Sequence, residues 1–341
     1  MSAVSRVLAL LALVPLASCE LYLRSDEATD GGGVDEPDSG ALPDAFVPPD
    51  APDIDAGPPP PPPNPGFVNP TQSTRANSFR NGAWQDVGPA DWSCLAQPNE
   101  PVPANGYALS GTVRDSQSNG SVGGATITAT VGGATIGSAT SSTMQTTRGQ
   151  YRLELPALPN GATRVRFDVA TQTSRRTFTI DRYLGAFGTA MLDLPLMSEQ
   201  TAAALPAVVG VTLDANGGLV VGEVRDCQGR AVSGAVVALS TVPNFVFHWP
   251  NSATYYYSAG NNQSLPVRHA VRTQTNSDGR FMIVGELPGT GEGFVQAYGY
   301  KTDAALAANQ LEVLNKSAAV IDAHTTSIVL LGRPRGFLGV N

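Results

Sequence analysis

Between residues 107 and 333 apolar and polar side chains alternate in short runs, the period of half-buried β-strands. In Thr126-Ile127-Thr128-Ala129-Thr130-Val131 apolar residues and threonines take turns. Arg164-Val165-Arg166-Phe167-Asp168-Val169 places three apolar residues on one face and three charges on the other, and Thr177-Phe178-Thr179-Ile180 continues the pattern. Leu219-Val220-Val221 and residues 235–239 are continuously apolar, which predicts central strands. Asn216-Gly217-Gly218 and Ser277-Asp278-Gly279 supply turn residues that tolerate positive φ. Helix is predicted only where Ser198 can cap a short turn through Ala204 and where Asp303 can open a segment toward Leu314.

The strands come in two copies of one unit. Gly111-Thr112-Val113-Arg114-Asp115-Ser116-Gln117 recurs as Gly222-Glu223-Val224-Arg225-Asp226-Cys227-Gln228. Val122-Gly123-Gly124-Ala125-Thr126-Ile127 recurs as Val232-Ser233-Gly234-Ala235-Val236-Val237, one residue nearer. Gly149-Gln150-Tyr151 answers Gly279-Arg280-Phe281, and Leu155-Pro156 answers Leu287-Pro288. Order and spacing are both kept, the mark of an internal repeat. Many short strands with Gly, Pro and Asn punctuation predict antiparallel sandwiches.

Gly-x-Val-x-Asp, then Val-x-Gly-Ala, then an Asp-Gly turn before an aromatic strand resembles the carboxypeptidase regulatory-like domain. The resemblance implies an all-β fold of two tandem antiparallel seven-stranded β-sandwiches, prealbumin-like and Ig-like. The copy at 217–333 fits better, through Thr275-Asn276-Ser277-Asp278-Gly279-Arg280-Phe281. The copy at 107–197 is degenerate, since Thr147-Arg148-Gly149-Gln150-Tyr151 lacks the aspartate. A connector at 198–216 joins them, residues 67–106 extend the folded body, and 334–341 form a tail. Family domains of this kind carry no peptidase chemistry, so the fold alone assigns no activity.

Upstream the composition changes. Arg6 and eleven apolar residues, Val7 to Ala17, make an export signal over 1–18, too short to span a bilayer core that needs about 20 residues. Leu16-Ala17-Ser18-Cys19 resembles a bacterial lipobox. That implies cleavage before Cys19, acylation of its thiol, and attachment to a membrane through acyl chains; two or more chains anchor stably. From Glu20 to Gly66 eleven acidic residues face one basic residue, Arg24, with Gly31-Gly32-Gly33 and the run Pro58 to Pro63. Such a segment cannot bury enough apolar surface to offset chain ordering, so 19–66 is expected to be an anchor and a disordered acidic, Pro-rich tether. Asp26, Asp30, Asp35 and Asp38 lack the spacing of a calcium loop.

This tether carries the acidity of the whole chain, whose net charge is −8; the body after residue 66 holds 19 basic and 18 acidic residues. Without a basic excess, nucleic acid is not an expected partner. Cys94 and Cys227 remain after Cys19, and export to an oxidising compartment makes a disulfide between them the expectation, the alternative being two buried thiols. His248, His269 and His324 lack zinc-site spacing, no Cys-x-x-Cys occurs, and Gly289-Thr290-Gly291-Glu292-Gly293 follows Leu-Pro rather than opening a helix. No metal, cofactor or catalytic residue is expected, and the protein is not expected to be an enzyme.

The second copy carries an insertion at 241–273 with Phe245, Phe247, Trp249, Tyr255, Tyr256 and Tyr257, six of the chain's 23 aromatics. Phe247, Trp249 and the three tyrosines are therefore the candidate ligand-binding residues, set against the alternative of a strand or a cap on the sandwich. The expected function is non-catalytic: a lipid-anchored cell-envelope protein, at the outer membrane or cell surface in preference to the inner membrane. It would bind or scaffold a protein or polysaccharide. The alternatives are an accessory subunit of an envelope hydrolase or transport assembly, and a passive spacer.

Overall fold

The computed structural model describes residues 68–96, 105–158, 164–184, 188–214, 217–241, 252–259, 264–285, 292–320 and 324–332. The signal, Cys19, the tether, Phe245, Phe247, Trp249 and the tail lie outside them. Two strands precede the repeats, β1 (Arg75–Arg80) and β2 (Ala83–Pro89). The first copy forms β3 (Tyr107–Asp115), β4 (Thr126–Val131), β5 (Ala134–Thr140), β6 (Gln150–Leu155), β7 (Arg164–Ala170), β8 (Arg176–Tyr183), β9 (Thr189–Met191) and β10 (Leu194–Leu196). Helix α1 (Glu199–Val208) follows. The second copy opens with β11 (Gly218–Val224), β12 (Ala231–Ser233), β13 (Val236–Ser240), β14 (Ser252–Tyr257) and β15 (Pro266–Val267). It continues through β16 (Arg280–Gly285), β17 (Glu292–Gly299), helix α2 (Asp303–Ala307), β18 (Glu312–Val320) and β19 (Thr325–Leu331). The fold is predominantly β, as the alternation predicts.

The repeated motifs fold because equivalent residues make equivalent bonds. Asp115 Oδ1 accepts from the N–H groups of Gln117 (3.1 Å) and Ser118 (2.8 Å), closing the turn after β3. Asp226 Oδ1 accepts from those of Gln228 (2.9 Å) and Arg230 (2.9 Å) after β11. The Val113 N–H donates to Gly149 O at 2.8 Å and the Val224 N–H to Gly279 O at 2.9 Å. Both glycines have positive φ, +80° and +68°, and an added Cβ would lie 2.9 Å from Val113 O or 2.6 Å from Val224 O. Only glycine meets both demands without strain. These are turn chemistries, which explains why the motif survives where the strands around it differ.

One sheet runs through both copies. Its nine strands lie in the order β15-β14-β16-β11-β19-β8-β7-β4-β5, and the copies meet where β8 pairs parallel with β19, from Arg176–Thr325 to Ile180–Val329. Register assigns the faces, because directly paired residues point the same way. Val165, Phe167 and Val169 of β7 face a layer made of β10, β3, β6 and β9, enclosing one core with Leu109, Ile127 and Leu153. Phe178 and Ile180 of β8 point the opposite way. They join Val220, Val224, Phe281, Ile283 and Val329 under the layer β13-β17-β18. The two cores therefore occupy opposite faces of a shared sheet. β8 belongs to the first copy by sequence, yet its apolar face completes the second core. Its other face carries the buried threonines Thr177 and Thr179, and Thr177 Oγ1 accepts from the Met197 N–H at 3.0 Å.

Two segments outside the strand repeat also pack on the second copy. Helix α1 is capped by Ser198, whose Oγ accepts from the Thr201 N–H at 3.1 Å, and runs to Val208 rather than stopping at Ala204. Its Ala202 and Leu205 cover Leu219, Met282, Tyr255 and Tyr257 on the sheet face away from the second core. Strand β1 pairs with β12, and Ala76, Ala90 and Trp92 enter the second core. The Trp92 indole N–H donates to Thr74 Oγ1 at 3.0 Å. The segment opened by Asp303 ends at Ala307, and Leu314 lies in strand β18 with its side chain buried. Asn309, in the left-handed region at φ 51°, follows the short helix and precedes the change to extended chain.

Candidate functional site

The expected disulfide is present. Cys94 and Cys227 are bonded with a Cα–Cα separation of 5.6 Å, and both are buried. The bond closes a separation of 133 residues and staples the end of the N-terminal hairpin segment to the first turn of the second copy, passing over the first copy entirely.

The tyrosines are placed differently from a binding platform. Tyr255, Tyr256 and Tyr257 are consecutive on β14 and all three are buried. Successive strand residues point to opposite faces, and here both faces are covered. Tyr256 enters the second core, while Tyr255 and Tyr257 lie under α1. The Tyr256 hydroxyl accepts from the Val237 N–H at 2.9 Å, and burial raises its pKa well above the ordinary tyrosine value. Tyr255 sits 4.8 Å from the His269 ring, and its pKa is likewise raised by burial. These rings hold β14 in the sheet and offer no face to a ligand. Phe247 and Trp249 lie outside the described residues.

A cross-strand aromatic pair with one exposed ring, Phe79, and one half-buried ring, Trp84, occurs elsewhere, on the β1–β2 hairpin. Phe79 and Trp84 are directly paired across the strands, with ring centroids 5.4 Å apart in an edge-to-face arrangement. Phe79 is 44% exposed. The turn between the strands is Asn81-Gly82, with φ of 52° and 77°, the left-handed geometry of a two-residue hairpin. Arg80, Gln85 and Asp86 are exposed around it, and the Arg75 Nε donates to Asp86 Oδ2 at 2.9 Å. Burial opposes ionisation of Asp86, but the bonds from Arg75 and the Gly88 N–H outweigh it and its pKa is lowered. The signal for this hairpin is in the sequence: Asn-Gly flanked by aromatic and β-prone residues.

A cleft opens between the copies. It holds about 240 Å³ and is lined by Arg166 and Ile180 from the shared sheet and by Phe294, Ala318 and Val320 from the β17–β18 pair. The Arg166 Nε donates to Thr130 Oγ1 at 3.2 Å, and its guanidinium lies 5.4 Å from the centre of the Phe178 ring.

Buried acids elsewhere have structural partners. Asp226 is fully buried and accepts from the Arg230 side chain at 2.6 Å and 2.8 Å. Asp278 accepts from the Ser264 hydroxyl, and burial raises its pKa despite that bond and the one from the Arg280 N–H. Among the described residues no three His, Cys, Asp or Glu side chains converge as a metal site would require, and no helix is long and apolar enough to cross a membrane.

No protein-family model and no curated protein matches the chain. Among solved structures, the shaft pilin SpaA from Lactobacillus rhamnosus GG aligns with 68% of this chain and 98% of its own. Identity is 13% and the TM-score is 0.18. That likeness is too slight to support a statement about fold or function. The β-sandwich description rests on the sheets and cores above.

Proposed function

We propose that this is a non-catalytic, lipid-anchored cell-envelope protein, held at the outer membrane or cell surface through Cys19. In this reading tandem prealbumin-like sandwiches bind or scaffold a protein or polysaccharide partner. The observation that carries the reading is the Phe79–Trp84 pair raised on a hairpin whose base is stapled to the second copy. An aromatic pair across a hairpin stabilises it by only about 0.5–1.5 kcal/mol. The same pair, with Phe79 exposed and Trp84 half-buried, supplies the kind of flat apolar anchors that dominate binding interfaces. Pairing with β12 and the nearby Cys94–Cys227 bond limit the ordering cost of binding.

The test presents the mature chain to a polysaccharide panel and a solubilised envelope extract, beside a Trp84→Ala variant. The expected outcome is a retained partner whose affinity falls about tenfold or more in the variant, with the melting temperature within a few degrees of the parent. Retention that is identical in the two proteins contradicts the hairpin as the binding element.

A further inference from the structure

The back of the second copy carries a surface that no described element covers. Helix α1 buries Ala202 and Leu205 on the sheet and turns Ala203, Ala204, Ala207 and Val208 outward, all exposed. Close by lies the turn after β15, where the Val271 and Arg272 N–H groups donate to Arg268 O at 2.9 Å and 3.2 Å. The Arg268 side chain reaches the end of α1: a Cβ added to Gly210 would sit 3.4 Å from Arg268 Nη2. Val271 is 70% exposed. Arg268 and Arg272 have no ion pair among the described residues, and Arg272 Nε is buried with no hydrogen-bond partner there. The chain holds no acid from Leu205 to Leu213 or from Ser264 to Ser277. The surface is therefore both apolar and cationic.

We propose that this surface is the docking site of residues 41–50 of the same chain. Ala41-Leu42-Pro43-Asp44-Ala45-Phe46-Val47-Pro48-Pro49-Asp50 interrupts the acidic tether with an apolar cluster, and Phe46 is the only phenylalanine between Glu20 and Gly66. Asp44 and Asp50 flank Phe46 and Val47 as Arg268 and Arg272 flank Val271, so apolar side chains meet apolar ones and carboxylates meet guanidinium groups. The tether's other apolar run, Leu21-Tyr22-Leu23, adjoins Cys19 and carries Arg24, so it matches a cationic surface less well. Three prolines favour an extended backbone before docking, which limits the ordering cost. The course of the chain delivers the segment. The Thr71 N–H donates to Gln274 Oε1 at 2.9 Å, two residues beyond Arg272, so the tether leaves the body beside this surface. Chain geometry puts Val68 within about 30 Å of Arg272. The 17 residues from Ala51 to Phe67 span about 50 Å when extended. A connection of that length gives an effective concentration on the order of millimolar, so a contact too weak to capture a free peptide is populated within the chain. Docking leaves 21 residues, Glu20 to Gly40, as free tether in place of 47, and draws the body toward Cys19. This inference is independent of the hairpin reading.

The experiment follows amide hydrogen exchange of the full mature chain at low salt. Expected is exchange about tenfold slower over residues 41–50 than over residues 25–38, a stretch of the same tether that serves as internal reference. Raising the salt should shrink the difference, since charge pairs at a surface are screened. Phe46→Ser should remove the protection and leave the body unchanged, because it alters only the tether. Arg268→Gln combined with Arg272→Gln should remove it as well, with β3 and β6 protected as in the parent. Val271→Glu repeats that test from an exposed position, adding a repelling charge without touching a core. Equal exchange over the two stretches in the parent, or a difference indifferent to salt, overturns the proposal. Protection that survives both the paired arginine variant and Val271→Glu places the segment elsewhere on the body and also overturns it. Protection that rises with protein concentration assigns the contact to a second copy, which contradicts docking within one chain.

Discussion

The two copies share their turns and differ in where one strand goes. In the first copy β4 and β5 are joined by Gly132-Gly133, and β5 folds straight back to pair with β4. In the second copy eleven residues separate β13 from β14, and β14 crosses to the other sheet to pair with β16. A two-residue connection compels a hairpin, whereas a longer one frees the strand to join whichever edge buries it best. For β14 that edge lies between the second core and α1, where three tyrosines are buried at once. A second difference follows from the chain outside the repeats. The hairpin β1–β2, Trp92, the disulfide and α1 all pack on the second copy, and β8 of the first copy lends it Phe178 and Ile180. The second copy is the hub of the body, and the first is carried on its edge.

That asymmetry is open to being broken. The largest effect is expected from the staple. Replacing Cys94 and Cys227 together with serine should cost about 4–5 kcal/mol on the chain-entropy account of a loop this long, an upper figure. Chemical denaturation of oxidised and serine forms measures it, and the loss should fall on the β1–β2 hairpin and the second copy. A loss spread equally over the first copy would contradict the hub.

Smaller, and more selective, is the effect of emptying one core at a time. Phe178→Ala and Phe167→Ala each remove a buried phenyl ring from neighbouring strands, at about 3–5 kcal/mol. Their side chains point to opposite faces of the sheet, so the two variants should weaken different copies although the residues are only eleven positions apart in the chain.

The smallest effect concerns Asp278, in the hairpin turn that the first copy lacks as an aspartate. Its folded pKa is raised by burial above the ordinary carboxylate value of 3.8. The folded state therefore holds the proton more tightly than the unfolded chain. The stabilisation this brings is full below the unfolded value and is lost as pH rises through the folded one. Asp278→Asn removes that dependence, so the variant should gain on the parent as pH rises from about 4 into the neutral range. Thermal melts across that range check the sign, and parallel curves would show that the carboxyl carries no such linkage.

Much of the strand content was legible because alternation and turn chemistry are local. Asp115, Asp226, Gly149 and Gly279 announce their turns through residue type alone, and Val165, Phe167 and Val169 announce their buried face. What the sequence did not disclose is non-local. Thr177-Phe178-Thr179-Ile180 alternates like any half-buried strand, and nothing in it says that Phe178 and Ile180 face the core of the other copy. Tyr255-Tyr256-Tyr257 reads either as a binding cluster or as an ordinary strand, and the strand alternative holds because α1 covers one face and the second core the other. The Phe79–Trp84 pair was within reach, since Asn81-Gly82 between two aromatic-bearing segments is a strong hairpin signal. The cleft was not, because β7 and β18 come to line one space only when β8 and β19 pair and join the two copies in one sheet.

The shared sheet with a core on each face is the centre of this account, and hydrogen exchange of Phe178→Ala tests it most directly. Amide protection reports local opening element by element. Loss of protection in β11, β16 and β19, with β3 and β6 close to the parent, is the predicted result. Loss confined to β3, β4 and β6, the strands of its own copy, would show that Phe178 serves the first core and that the two sandwiches do not share a sheet.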